Sequence, residues 1–499
     1  MKRILSIILL LNLLLSACAA DAYAATSWGF GKTTTIGKTV LVDENEVRIT
    51  ATEMEFTSYG IVISLLLENN SNKKLSFVAG SMGYCVNSVN GYMIGSGYLN
   101  CDVEAHSSET DNITIYYSAF EAYGIEDIAD IELGFQISDD DYNHFYTGPR
   151  RITTSLYDTY DYSKNYYHEA INGPFFKSNG ITIEAYTAEP VLSHEKIIIK
   201  SWGMMTSTDG ERSLLVEVAN ESDALVYART TNMSINDLLV YTGTVTSDAI
   251  NPGATVVTAI PVSSILDETE WTLLGIEDIS TIGFEFYVDD EDGQNKVIEN
   301  TELIYSTNTP DFSYDSSGIE VYNSEKLRVV YKTFAEGTSE YDDNLYAYFI
   351  IENKYGEPIS IRTFNDMLNS NMVSTSLWRS DIPDGKCVYS ELEFYSYTFD
   401  DYGIVSVADV NTINTTFQIR NTKYKTLDEI GITINTADGV VLVHDPWFCT
   451  ACGQECNGGS DCIECGQERI AAQVCNSCDI TYVSTDTINY CAECGSSLN

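Results

Sequence analysis

The chain is long, strongly acidic and uneven in its cysteines. It has 499 residues, 27 Lys and Arg against 73 Asp and Glu, a formal net charge of −46, and 13 cysteines. This charge predicts no nucleic-acid partner, because binding there requires Lys and Arg to neutralise phosphates. The 44% hydrophobic content is typical of a folded chain, and the length predicts about three globular domains. Nine cysteines fall within Cys449–Cys494, so a small cysteine-rich tail follows a large acidic body.

The N-terminus has the pattern of an export signal. Lys2 and Arg3 precede an apolar run over residues 4–15. This run is too short to span a bilayer, which takes about 20 residues. A basic start followed by a short apolar segment is typical of a signal peptide, which we predict over residues 1–17.

The end of this run and the residues after it read Leu15-Ser16-Ala17-Cys18. They resemble the bacterial lipobox, whose cysteine becomes the lipidated first residue of the mature protein. The resemblance implies that Cys18 carries the lipid and that residues 18–44 form a flexible tether. Two or more acyl chains anchor a protein stably, so the chain would sit at the cell membrane, facing outside. The alternative is an ordinary secretory signal cleaved after Ala20 or Ala24.

Residues from about 45 to 440 read as β-structure that repeats three times. Val, Ile, Thr, Tyr and Phe dominate short alternating runs, which predicts antiparallel strands. An apolar strand ends at an asparagine in each repeat, at Asn69, Asn220 and Asn353. A Gly-Ile landmark follows each of them. The spacing between the first two repeats is 151 residues for both landmarks, which indicates duplication of one fold.

These patterns predict a mostly β chain built from tandem antiparallel sandwich units. Short strands with regular turns fit immunoglobulin-like (Ig-like) sandwiches, and a barrel is the alternative. The organisation resembles the repeated Ig-like modules of Gram-positive surface lipoproteins. The predicted units, called the first, second and third repeat below, are residues 45–155, 172–306 and 311–440, with a linker at 156–171.

The cysteines of the tail, residues 447–499, have the spacing of metal ligands. It holds four Cys-x-x-Cys pairs: Cys449 and Cys452, Cys462 and Cys465, Cys475 and Cys478, Cys491 and Cys494. Two such turns can complete a tetrahedral thiolate site. The tail resembles a double zinc ribbon, which implies two structural zinc ions. The spacing leaves open sequential or cross-braced pairing, iron in place of zinc, and disulfides in place of metal.

Two smaller features of the sequence also allow more than one interpretation. Cys85 and Cys101 lie on neighbouring predicted strands and form either a disulfide or two buried thiols. The acidic turn at residues 289–293 has some spacing of a calcium loop, but Val288 occupies its first ligand position. We interpret it as a solvated hairpin turn, with calcium binding as the alternative.

The sequence carries no recognised catalytic motif. None of the five histidines lies in an H-E-x-x-H pattern, and the chain has no G-x-S-x-G elbow or phosphate loop. We therefore predict a non-catalytic, membrane-anchored extracytoplasmic lipoprotein that binds or scaffolds a protein or another cell-envelope partner. The alternative is a cell-envelope hydrolase or carbohydrate-binding accessory protein with an unrecognised site.

Overall fold

A computed structural model describes most of the chain between residues 34 and 436. The described residues are 34–80, 87–247, 249–290, 292–293, 295–337, 342–399 and 402–436, with the backbone of five short strands after residue 440. Strands joined by short turns make up most of this part, and the four α-helices within it are short. The prediction of a mostly β chain is confirmed.

The strands follow one another along the chain through the three repeats, and the first strand precedes residue 45. Those before residue 156 are β1 (Thr39–Glu44), β2 (Val47–Phe56), β3 (Gly60–Asn69), β4 (Leu75–Ala79), β5 (Asn87–Val89), β6 (Tyr92–Ile94), β7 (Leu99–Val103), β8 (Ser107–Tyr116), β9 (Asp130–Asp139) and β10 (His144–Thr153). Those of the second repeat are β11 (Thr182–Thr187), β12 (Leu192–His194), β13 (Ile197–Thr206), β14 (Arg212–Asn220), β15 (Val226–Ile235), β16 (Leu238–Tyr241), β17 (Val245–Thr246), β18 (Thr255–Pro261), β19 (Thr281–Asp290) and β20 (Lys296–Ser306).

The third repeat continues the series. Its strands are β21 (Ile319–Asn323), β22 (Leu327–Glu336), β23 (Leu345–Asn353), β24 (Ile359–Leu368), β25 (Asn371–Met372), β26 (Thr375–Ser376), β27 (Trp378–Ile382), β28 (Cys387–Phe394), β29 (Thr412–Asn421) and β30 (Thr426–Asn435). Five short strands follow: β31 (Val441–His444), β32 (Pro446–Phe448), β33 (Glu455–Asn457), β34 (Gln473–Val474) and β35 (Thr481–Tyr482). The helices are α1 (Tyr117–Ala122), α2 (Tyr166–Ala170), α3 (Pro174–Ser178) and α4 (Glu268–Leu273).

Alternation along the strands places one face in a core. In β3, Ile61, Ile63, Leu65 and Leu67 are fully buried, while the residues between them are partly exposed. Side chains two residues apart point to the same face of a strand. The alternating pattern in the sequence therefore corresponds to a sheet that buries one side.

The contacts divide the described chain into two compact units. The first unit contains the described residues up to Thr231, with Gly243–Leu266 and Phe284–Pro310. The second contains Asn232–Thr242, Asp267–Gly283 and the described residues from Asp311 onward.

The first unit has two sheets. The smaller sheet has the order β1-β2-β3-β8. The larger has the order β11-β13-β14-β18-β6-β5-β9-β4-β7, with β10 beside β9 and β12 beside β13. Ile49 and Leu65 of the smaller sheet share one core with Phe77 and Phe135 of the larger. The two sheets thus bury facing sides in the first repeat.

The second unit is organised in the same way. Strands β28-β23-β22-β21 are adjacent in one sheet, and β25-β24-β29-β30-β31 form another with β27 beside β24. Phe349 and Phe417, one from each sheet, meet edge to face with their ring centres 5.3 Å apart. Aromatic rings favour this geometry, and both side chains belong to the core of the third repeat.

The landmark asparagines close the same turn in all three repeats. Asn69 is fully buried, and its Nδ2 donates to the carbonyl oxygens of Lys73, Val103 and Glu104 at 2.7–3.1 Å. Its Oδ1 accepts from the backbone and the hydroxyl of Ser71. Asn220 and Asn353 make the corresponding bonds to the turns that follow them. One buried amide therefore joins each strand end to a distant loop.

We predict that Asn69→Ala destabilises the protein by about 3 kcal/mol, because it leaves buried carbonyl groups without donors. The neighbouring Asn70 is exposed and provides the control variant Asn70→Ala, with an expected change below about 0.5 kcal/mol. Urea unfolding followed by circular dichroism measures both variants. Equal losses in the two would contradict this role for Asn69.

Candidate functional site

Each repeat carries a two-residue hairpin turn at the same place. The turns are Asn90-Gly91, Asn236-Asp237 and Asn369-Ser370, and all six residues have positive φ, between 49° and 80°. Positive φ at both central residues is the requirement of a type I′ turn, which Asn, Asp and Gly meet at low cost. We call these turns and their flanking strands the first, second and third linking hairpins.

The asparagine that opens each turn holds it against the rest of its repeat. Asn90 donates from Nδ2 to the Asp127 carbonyl at 2.7 Å, and its Oδ1 accepts from the backbone N–H groups of Ala129 and Asp130. The other two turns repeat this pattern: Asn236 with Asp278, Ser280 and Thr281, and Asn369 with Asp409, Asn411 and Thr412. Each hairpin is thus held to its own repeat by side-chain hydrogen bonds of its turn asparagine.

The first linking hairpin joins a strand of the second repeat. β6 lies parallel to β18, with Tyr92 opposite Thr255. The Thr255 N–H donates to the Gly91 carbonyl at 2.7 Å. Parallel neighbours need a long connection, and here the chain passes through the rest of the first repeat and part of the second between β6 and β18. Main-chain hydrogen bonding therefore continues from one repeat into the next.

The second linking hairpin does the same within the second unit. β16 lies parallel to β28, with Leu238 opposite Cys387 and Leu239 opposite Val388. Leu238, Leu239 and Val388 are all buried. The junction between the second and third repeats thus has the same topology as the first junction.

A buried carboxylate supports the first junction. Glu217 on β14 is 1% exposed. It accepts from the Tyr92 hydroxyl at 3.2 Å and from Ser201 Oγ at 2.6 Å, and Lys200 Nζ lies 3.0 Å from its Oε1. A buried charge is tolerated when it is paired and hydrogen-bonded. Since Tyr92 comes from the linking hairpin, this network joins the two repeats by side chains as well as backbone.

Aromatic rings surround that carboxylate. The Tyr92 ring centre lies 5.3 Å from that of Tyr123, which is 6.2 Å from that of Tyr167. Lys200 Nζ also lies 5.6 Å from the centre of the Tyr92 ring. Burial, and then the Glu217 charge, raise the pKa of Tyr92 well above its usual range. Tyr92 therefore stays protonated and acts as a hydrogen-bond donor.

A second buried glutamate lies at the other junction. The Tyr389 hydroxyl on β28 donates to Glu270 Oε1 at 2.9 Å. Glu270 also closes the capping box of α4, because its Oε2 accepts from the Asp267 N–H while Asp267 Oδ1 accepts from the Glu270 N–H. The Tyr389 ring stacks on Tyr348, with centres 6.0 Å apart. Both junctions thus hold a Tyr–Glu hydrogen bond, built from different positions of the repeat.

The two glutamates differ in their charge environment. Lys200 compensates Glu217, whereas Glu270 faces the carboxylates of Asp267 and Glu391 and the hydroxyls of Tyr348 and Tyr389. Burial, together with repulsion from Glu391 and Asp267, raises the pKa of Glu270 to about 7. The second junction therefore carries a carboxyl group that titrates near neutral pH.

Most residues that the sequence analysis proposes as sites lie outside the described residues. These are the predicted lipidation residue Cys18, the predicted disulfide partner Cys85, and the predicted zinc ligands Cys449, Cys452, Cys462, Cys465, Cys475, Cys478, Cys491 and Cys494. Cys101 is half-buried, and no disulfide joins it to another described residue. Burial raises its pKa above the usual range. The zinc ligands, the lipidation and the disulfide stay predictions.

The acidic turn after β19 uses its carboxylates in local contacts. Asp289 pairs with Arg229, whose Nε lies 2.6 Å from Oδ2, and Asp290 accepts from the Asn295 side chain at 2.6 Å. Within the described ranges, no group of three or more His, Cys, Asp and Glu residues is placed to hold a metal ion.

The linking hairpins and the buried glutamates were not predicted from the sequence, although the hairpins and Glu217 have recognisable patterns there. Asn90-Gly91 is the strongest short hairpin signal, because Asn and Gly suit positive φ. Glu217 stands alone between Val216 and Val218 in an apolar strand. A single charge at such a position indicates a buried partner. Glu270 has no comparable signal, because it lies among Asp267 and Glu268 at the start of a helix, where acidic residues are common.

Comparison with known proteins finds likeness in solved structures alone. No family model matches the chain, and no curated protein matches it. The chain is similar to an exo-β-D-glucosaminidase at 11% identity, over 55% of this chain and 28% of that chain, with a TM-score of 0.16. It is also similar to a 1.5-MDa bacterial ice-binding adhesin at 8% identity, over 75% of this chain and 90% of that one, with a TM-score of 0.13.

A third neighbour is the BSP domain of a biofilm-associated protein, at 9% identity, over 82% of this chain and 67% of that one, with a TM-score of 0.12. The structural neighbours thus include bacterial adhesin and biofilm proteins and a glycosidase. Across the residues that the structure describes, no helix is long and apolar enough to cross a membrane.

We predict that Glu270→Gln removes a pH dependence of stability. Because the folded state raises the pKa of Glu270 from 4.5 to about 7, its contribution is full at low pH and is lost as pH rises through 7. The wild type should lose about 2 kcal/mol between about pH 5 and pH 8, and the variant should not. Glutamine still fits the capping box.

Urea unfolding at a series of pH values measures this effect. Glu268→Gln is the matched control, because Glu268 lies on the same helix and is exposed. The control should behave as the wild type. An unchanged pH profile in Glu270→Gln would overturn the assignment.

Proposed function

We propose that the chain is an exported, lipid-anchored, non-catalytic binding or scaffolding protein. Cys18 carries the lipid, three Ig-like units at residues 45–155, 172–306 and 311–440 connect it to the tail, and residues 447–499 form a double zinc ribbon with two structural zinc ions. The observation that carries the proposal is the pair of linking hairpins, which join successive repeats through backbone hydrogen bonds.

A connecting role suits these junctions. A linking hairpin continues the sheet of one repeat into the next, so the connection does not depend on a single flexible linker. Glu217 with Tyr92 and Glu270 with Tyr389 add a buried hydrogen bond to each junction. A chain with this construction would present its tail, and the exposed sheet edges of its repeats, to a protein or cell-envelope partner.

The chemistry of the buried carboxylates also favours a binding protein over a hydrolase. A general acid or base must reach its substrate from a cleft. Glu217 is bound by Tyr92, Ser201 and Lys200, and Glu270 is bound within a helix cap. Their contacts are those of structural groups. The excess of acidic residues supplies a solvated surface for an exported protein.

Cys18→Ala tests the anchor and the function together. We expect the wild type in the membrane fraction and the variant in the medium, because the variant lacks the lipidated cysteine. The released chain is then screened against cell-wall glycans and peptides, with binding without turnover expected. A variant that stays membrane-bound would refute the lipid anchor. Turnover of any screened compound would refute the non-catalytic role and support the hydrolase alternative.

Metal analysis tests the tail separately. Four Cys-x-x-Cys pairs predict about two zinc ions per chain. Replacing Cys475 and Cys478 with serine should remove about one of them, whereas the same change at Cys387 should remove none. Elemental analysis of the purified full chain measures both. A zinc content near zero in the wild type would refute the ribbon.

A further inference from the structure

The third linking hairpin lacks the neighbour that the other two have. Within the described residues, β25 pairs with β24 and with no strand of a following module. Met372 occupies the position of Met93 and Leu239 in the first two hairpins. Those residues are 2% and 3% exposed, whereas Met372 is 52% exposed. The third hairpin thus presents an apolar side chain and an open strand edge.

The first repeat shows the complementary feature. β8 is the terminal strand of the β1-β2-β3-β8 sheet as far as the structure describes it. In the strand pairing of the first repeat, Ser108 lies opposite Glu68. At the same position of the other two repeats, Thr255 lies opposite Ala219, and Cys387 lies opposite Glu352. Ser108 is therefore the equivalent of the two residues that receive the linking hairpins. Ser108 and the following Glu109 are exposed.

We propose that the third linking hairpin of one chain docks in parallel on β8 of a second copy of this chain. The copies then associate head to tail, through the junction that each chain already makes twice internally. In the first junction, the Thr255 N–H donates to the Gly91 carbonyl. The equivalent intermolecular bond runs from the Ser108 N–H to the Ser370 carbonyl, and the parallel pattern adds one from the Met372 N–H to the Ser108 carbonyl.

The backbone geometry leaves these groups available. Val373 donates its N–H to the Asp366 carbonyl across the hairpin. Because N–H groups alternate in direction along a strand, the Met372 N–H points away from β24. The same alternation turns the Ser108 N–H away from β3, since its equivalent Thr255 uses that group for the hairpin. Addition of a strand to an exposed edge is a common mode of protein recognition.

The chain enters its cysteine-rich tail from the other edge of this sheet. In the six-stranded sheet, β31 pairs with β30, and β25 lies at the other end of the strand order. The chain therefore leaves the sheet at the edge opposite to the third hairpin.

The contact is small and its acceptor is polar, which predicts weak association. Ser108 and Glu109 replace the more apolar Thr255 and Val256 of the first junction. Anchoring many copies on one membrane raises their effective concentration, so a weak contact becomes sufficient there. A head-to-tail contact between different surfaces does not close on itself as a twofold dimer does, so it yields open chains of copies.

Two proline variants test the geometry. Ser108→Pro removes the acceptor strand's N–H, and Met372→Pro removes the hairpin's N–H, and each leaves the bonds to its own sheet in place. In sedimentation of the mature chain carrying Cys18→Ala, the wild type should form concentration-dependent oligomers. Each proline variant alone should be monomeric, and their equimolar mixture should stop at a dimer.

Ser108→Ala and Met372→Leu are the controls, because both keep the backbone N–H, and they should assemble as the wild type does. Thermal unfolding of each variant confirms that it is folded. A wild type that stays monomeric at all concentrations would overturn the proposal. So would assembly of either folded proline variant alone, or a folded mixture without dimers.

A charge change tests the same contact without altering the backbone. Leu239 lies opposite Val388 in the second junction, so Met372 should lie opposite Glu109 of the second copy. Met372→Lys should tighten association by up to about fivefold through attraction to Glu109, and Met372→Glu should abolish it. Glu109→Lys should restore association to Met372→Glu. The proposal fails if lysine and glutamate at residue 372 have the same effect.

Discussion

The described structure depends on a hydrogen-bonding constraint at a two-residue turn. Each linking hairpin requires positive φ at two successive residues, and the first of them is an asparagine whose amide holds the turn to its own repeat. A hairpin fixed in this way presents its outer edge as a rigid template. Backbone groups on that edge must find partners when they are buried, and the next repeat supplies them. The turn thus sets where each following repeat is joined.

The junctions show how the same backbone topology tolerates different side-chain chemistry. At the first, the hairpin supplies Tyr92 and the receiving sheet supplies Glu217. At the second, the receiving strand supplies Tyr389, and the helix α4 supplies Glu270. Lys200 compensates the first carboxylate, while acidic neighbours surround the second. The backbone pairing is common to both, so it is the conserved physical element within this chain, and the side chains adapt around it.

The sequence predicted the parts of this structure that rest on local patterns. Alternation predicted strands such as β3, and the turn asparagines Asn69, Asn220 and Asn353 stood out as a repeating landmark before their hydrogen bonds were seen. The junctions were not predicted, because they depend on pairing between residues such as Tyr92 and Glu217 that are 125 positions apart. Periodicity reports which face of a strand is buried. It does not report which edge meets another repeat.

The linking hairpin also has a consequence for how such a chain can change over evolutionary time. Every repeat brings a donor hairpin and an acceptor strand, and both use main-chain atoms that every amino acid except proline provides. Duplication or loss of one whole repeat would therefore leave each remaining junction with a complete set of partners. Recombination within a gene can therefore change the number of repeats one at a time. The first acceptor strand and the last hairpin keep the same backbone chemistry.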